Sequence, residues 1–141
     1  MDARLKSLVR RRARFRCEYC QFPERFAELR FQMDHIIARQ HSGKNIAANL
    51  ALACFRCNSH KGTNLSGVDP KSGRVVPLFH PRRETWAEHF AWKESVLTGL
   101  TPSGRATLNV LRINRPDAVL ARAALMEEGV LFAPAKRRPK S

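Results

Sequence analysis

Two Cys-x2-Cys pairs, Cys17-Glu-Tyr-Cys20 and Cys54-Phe-Arg-Cys57, constrain this chain more than any other feature. Four thiolates at that spacing give tetrahedral sulfur ligation, the arrangement of closed structural zinc sites. The spacer between Cys20 and Cys54 is longer than in an ordinary zinc ribbon, and it leaves room for a hairpin hung from the metal. A redox role fits less well, because redox Cys-x2-Cys motifs come singly at a helix start and not as a matched pair. Four thiolates leave no open coordination position, so the zinc is read as a staple and not as a catalyst.

The charge balance points to a partner. The chain has 141 residues, with 26 Lys+Arg against 12 Asp+Glu and a formal net charge of +14. Such a surplus draws a polyanion, and nucleic acid is the default, because covering phosphates releases counterions. A hydrophobic content of 43% argues for a folded core and against a disordered chain. No apolar run approaches a membrane span and the first residues have no apolar signal core, so no membrane association is expected. The expected location is the cytoplasm, where paired cysteines mean metal more often than disulfide.

Local signals divide the chain into four stretches. Residues 1–16 read as a basic N-terminal helix, helical over 2–14. In it Leu5, Leu8 and Val9 lie on one stripe while Arg4, Arg10, Arg11, Arg12 and Arg14 crowd the rest, and this basic face is expected to touch phosphates. Residues 17–65 form the zinc-bound core: a strand at Leu29–Met33, a polar loop at 39–45, a strand at Leu50–Ala53 and a helix from about Asn58. Residues 66–132 form a C-terminal extension packing on the core. They begin with turn chemistry at 67–73 and a short strand over Val75–Phe79. Around Trp86, Phe90 and Trp92 the spacing allows either helix or strand. Thr101-Pro102 starts one helix, and Arg115-Pro116 starts another that Gly129 terminates. Residues 133–141 are expected to be a disordered basic tail.

Between the cysteine pairs lies a residue set suited to hydrolysing a phosphodiester. That reaction needs an activated water and a cation that neutralises charge on the phosphate and the leaving oxygen. His35 can act as general base. Asp34 offers a hard oxygen to Mg2+ or Mn2+, and Asn58 offers a second, neutral one. Adjacent strand residues point to opposite faces, so Asp34 and His35 can share a site only where the strand ends. Lys61, three residues past Asn58 on the same helical face, is placed to hold a phosphate. Taken singly, Asn49 reads as a turn or cap residue and Asn58 as an N-cap; the combination is what points to catalysis.

The string Asp34-His35-Ile-Ile, Asn49-Leu50, Cys54-x2-Cys57-Asn58-x2-Lys61, preceded by Cys17-x2-Cys20, resembles the HNH endonucleases in their four-cysteine, zinc-bearing form. The stretch from Asn64 through Leu78-Phe79-x-Pro81-Arg82 to Trp86-x2-His89-Phe90 resembles a bacterial subgroup of the same family. The chain departs from the pattern at Ala38, where proline is frequent, and at Ser42-Gly43, where paired glycines are common. The resemblance implies an α+β fold: a small ββα-metal core with a four-cysteine structural zinc, plus a C-terminal strand and helical extension. It also implies a metal-dependent DNA endonuclease with His35 as base and Asp34 and Asn58 on a catalytic Mg2+ or Mn2+. Asn49 would orient the loop or the base, and the products would carry 5′-phosphate and 3′-hydroxyl ends. The rival expectation is a non-catalytic zinc module that binds nucleic acid.

Overall fold

The computed structural model describes residues 1–132, so the expected basic tail lies outside the described residues. Helix α1 spans Ala3–Arg12 and is capped by the Asp2 carboxylate, which accepts from the Arg4 amide. Strands β1 (Gln32–His35) and β2 (Leu50–Ala53) pair antiparallel, with Asp34 opposite Ala51 and His35 opposite Leu50. Helix α2 (Phe55–Lys61) follows at once and packs on β1, completing a ββα unit. Beyond it come the hairpin β3 (Ser66–Val68) and β4 (Val75–Pro77), the single turn α3 (Trp86–His89), and the hairpin β5 (Phe90–Lys93) and β6 (Val96–Gly99). Helices α4 (Pro102–Val110) and α5 (Pro116–Glu127) close the described chain.

Strand β2 is short and wholly apolar because it is buried on every side. On one edge it pairs with β1. On the other, the Leu52 carbonyl accepts from the Glu18 amide and the Leu52 amide donates to the Glu18 carboxylate, both at 2.8 Å. The first cysteine knuckle is thus sewn to the strand that leads into the second.

Three local expectations require correction. The first strand is Gln32–His35 and not Leu29–Met33. Side chains take the place of a strand partner just before it: the Phe31 amide donates to Glu24 Oε2 at 2.7 Å and the Phe31 carbonyl accepts from Arg10 at 2.9 Å. Helix α2 begins at Phe55, not at Asn58, because Cys54 is its N-cap and accepts from the Cys57 amide at 3.4 Å. Asn58 therefore sits inside the helix. The third concerns the strand over Val75–Phe79, which stops at Pro77 because the Phe79 amide turns to Thr107 Oγ1 of α4 at 2.9 Å. Around the tryptophans both alternatives occur in sequence, a helical turn and then a strand.

The extension is anchored on the core by aromatic packing. The Trp86 indole donates to the Tyr19 carbonyl at 2.9 Å, and Phe79 meets the Tyr19 ring edge-on. Arg122 of α5 is buried and donates to the carbonyls of Ser95 and Ile113, which ties α5 to the β5–β6 turn. A guanidinium donates only, so it suits a site rich in carbonyls.

Candidate functional site

All four cysteine sulfurs lie within 4.8 Å of one another, and none is in a disulfide. A tetrahedron with Zn–S bonds of about 2.3 Å has sulfurs about 3.8 Å apart. Cys20 Sγ and Cys54 Sγ are separated by 3.9 Å, so the cluster fits the ion. Backbone amides of Cys20 and Cys57 point at Cys17 Sγ and Cys54 Sγ, respectively, supporting negative charge on sulfur. Burial pushes the Cys17 thiol up, and the neighbouring sulfurs push the Cys57 thiol up, whereas the same neighbours draw Cys54 down.

Asp34 and His35, adjacent in β1, diverge. The Asp34 side chain turns inward, where Tyr19 Oη donates to its Oδ2 at 2.6 Å and Lys61 Nζ donates to Oδ1 at 3.1 Å. Burial raises the Asp34 pKa, and the Lys61 charge works against that rise. Lys61 Nζ also reaches the carbonyls of His35 and Ile36 at 3.3 Å. This corrects the expectation of a surface phosphate clamp: the Lys61 and Asp34 side chains are both only 3% exposed. Removing one member of such a pair strands a buried charge and costs about 3–5 kcal/mol. A Lys61→Ala protein is expected to lose stability of that order, read from the shift of its urea midpoint at unchanged slope.

His35 turns the other way. Its ring is half-buried, and Nε2 lies 2.6 Å from Asn45 Oδ1. The loop that delivers Asn45 is held by Asn49, whose amide accepts from the Ile37 N–H and donates to the Ile37 and Lys44 carbonyls, at 2.9 to 3.0 Å. Gly43 packs so tightly under this loop that a Cβ would overlap the Ile37 carbonyl. That explains why a glycine is needed at 43, and its neighbour Ser42 carries its side chain at φ 69°, in the left-handed region that glycine adopts more readily. Asn58 Nδ2 donates to Gln32 Oε1, leaving its own Oδ1 without a partner among the described residues.

The arginines of α1 also divide. Arg10 pairs with Glu24 and Arg12 donates to the Ala47 and Leu50 carbonyls at 3.0 and 2.7 Å, clamping the helix to the segment that carries Asn49. Desolvation lowers the Arg12 pKa accordingly. Arg10 and Arg12 are therefore structural ties in place of the expected phosphate contacts, whereas Arg11 and Arg14 remain exposed. Of the histidines given no role, His60 is tied to the Leu111 carbonyl at 3.0 Å. Sequence reasoning passed over Tyr19 and Asn45. Tyr19 stood in view between the first two cysteines; Asn45 had no signal beyond a polar loop.

An antiparallel hairpin crossed by a helix, with four clustered cysteines that could hold a metal ion joining its two ends, defines a ββα-metal core. Residues 17–64 match the family model described as HNH endonuclease. No curated protein and no solved structure matches the chain significantly.

Proposed function

We propose that this domain is the cutting centre of a divalent-metal-dependent DNA endonuclease. The observation that carries the reading is the imidazole of His35, held at the end of β1 by Asn45. The side-chain oxygen of Asn45 can only accept, so His35 Nε2 carries the hydrogen and Nδ1 keeps its lone pair. That tautomer takes a proton from a water attacking phosphorus in line with the departing 3′ oxygen. Asn49 keeps the Asn45 loop in place and so acts on the base at one remove.

Asp34 and Asn58 are the oxygen donors for a hard ion, Mg2+ or Mn2+. An ionised carboxylate has about four acceptor positions. Tyr19 and Lys61 occupy two of them at Asp34, so capacity remains. When bound, such an ion neutralises charge on the phosphate and the leaving oxygen. The net charge of +14 and the exposed Arg11 and Arg14 suit the DNA backbone.

Supercoiled plasmid is the substrate for the test. Protein dialysed against EDTA and reloaded with zinc is expected to relax or cut it only after Mg2+ or Mn2+ is added. Nicks should reseal with DNA ligase, which requires 5′-phosphate beside 3′-hydroxyl. Equal cleavage with zinc alone would sink the catalytic-metal assignment, and unsealable nicks would sink the assignment of the ends.

A further inference from the structure

A cavity of about 370 Å3 opens beside the end of β1, between the core and the C-terminal extension. Ile36, Ile37 and Lys61 line its core side, and Leu65, Phe79 and His80 line the other. Lys61 connects it to the site already described, because the same ammonium reaches Asp34 and the His35 carbonyl. The apolar walls have a polar rim whose groups differ in what they have left to offer.

The carboxylate of that rim already has one partner on each oxygen. Glu84 Oε1 accepts from the His80 amide at 2.8 Å, and Glu84 Oε2 faces His89 Nε2 at 3.2 Å. His80 is fixed in one tautomer: its Nδ1 accepts from the amides of both Arg82 and Arg83 at 3.2 Å. Nδ1 therefore carries no hydrogen. Burial first, and then the Arg83 charge, lower the His80 pKa, so the ring is kept neutral with its hydrogen on Nε2. Among the described residues that Nε2–H has no partner, and neither does the guanidinium of the exposed Arg83 or the side-chain amide of Asn64. Three uncommitted donors, on a rim whose carboxylate already faces the His80 amide and His89 Nε2, form a site for an anion.

We propose that this cavity is a backbone subsite for the bound DNA strand, in which His80 Nε2–H and the Arg83 guanidinium hold a phosphate next to the one that is cut. The inference rests on the nuclease reading above and extends it to the C-terminal extension. His80 is here a binding and positioning residue: it moves no proton. The extension thereby helps to set the strand against His35, and the HNH core alone lacks this half of the grip.

His80→Asn separates the two duties of the ring. The Asn side-chain oxygen falls near the place of Nδ1 and can still cap the Arg82 and Arg83 amides, while the distal donor is gone. Binding is measured by fluorescence anisotropy on a short DNA duplex in the His35→Ala background, with melting temperature followed in parallel. His80→Asn is expected to weaken binding about fivefold, the size of one lost hydrogen bond, with melting unchanged. Arg83→Ala should lower the slope of log K against log salt by about one. In the cleaving protein both changes should raise KM more than they lower kcat. If both variants bind with wild-type affinity and salt slope, the subsite is wrong while the nuclease reading stands. If the wild-type protein binds no DNA, both fall together. A His80→Asn protein that binds weakly only because it melts early also overturns the proposal, since the ring would then be a structural cap alone.

Discussion

A Cys54→Ser protein is expected to lose its zinc and, with it, the fold of residues 17–64. Little else holds this unit. Strands β1 and β2 have four residues each and make a two-stranded sheet, which in isolation is marginal in water. Helix α2 has seven residues, too few to be stable by itself. Cys54 contributes to this unit twice, as a metal ligand and as the N-cap of α2. Serine puts a hydroxyl acceptor in place of the capping sulfur, so the cap, whose loss would have cost about 1 kcal/mol, is kept. What serine removes is the metal, and structural zinc binding in small domains is worth about 10–16 kcal/mol near neutral pH. The metal term decides the outcome. Metal content should fall well below one zinc per chain, and the far-ultraviolet circular dichroism should show no cooperative melting of the core. A variant that keeps one equivalent of zinc and melts with wild type would show that the cysteine frame is not what holds the hairpin.

The elements legible in the sequence were those set by chemistry within a few residues. The cysteine spacing, the Thr101 cap whose hydroxyl accepts from the Gly104 amide, and the Gly129 stop at a positive φ are all of this kind. What could not be read depended on partners distant in sequence. Arg12 looks like its neighbour Arg11 on paper, yet it meets carbonyls 35 and 38 positions away and becomes a tie. Lys61 shares a helical face with Asn58, and that much is periodicity. Its burial is decided by Asp34, 27 positions earlier, whose inward carboxylate takes the ammonium as its ion-pair partner. The strand boundary moved for a similar reason: Glu24 and Arg10 satisfy the backbone of Phe31 before β2 can. The alternation rule for Asp34 and His35 was sound as physics, and it acts on the outcome directly. Their side chains part company at the last two residues of β1, where Asp34 meets Tyr19 and Lys61 and His35, closing the strand, meets Asn45.

Changing His35 to Ala is expected to reduce DNA cleavage by about 10²–10⁴-fold, the range that a positioned general base supplies. The ring's Nε2 is engaged by Asn45, its Nδ1 has no partner among the described residues, and it supports no core contact comparable to those of Tyr19 or Trp86. Truncating it should therefore leave the zinc cluster, the Asp34–Lys61 pair and the exposed arginines in place. Gel retardation of the same DNA should be unchanged, and zinc content should stay at one per chain. This combination separates catalysis from binding. A non-catalytic zinc module would show retardation and no cleavage in wild type and variant alike. A variant that bound poorly and cut poorly would indicate a binding role for the ring. If His35→Ala cuts as fast as wild type with Mg2+ or Mn2+ present, the imidazole at the end of β1 has no part in the reaction, and the base must be sought elsewhere.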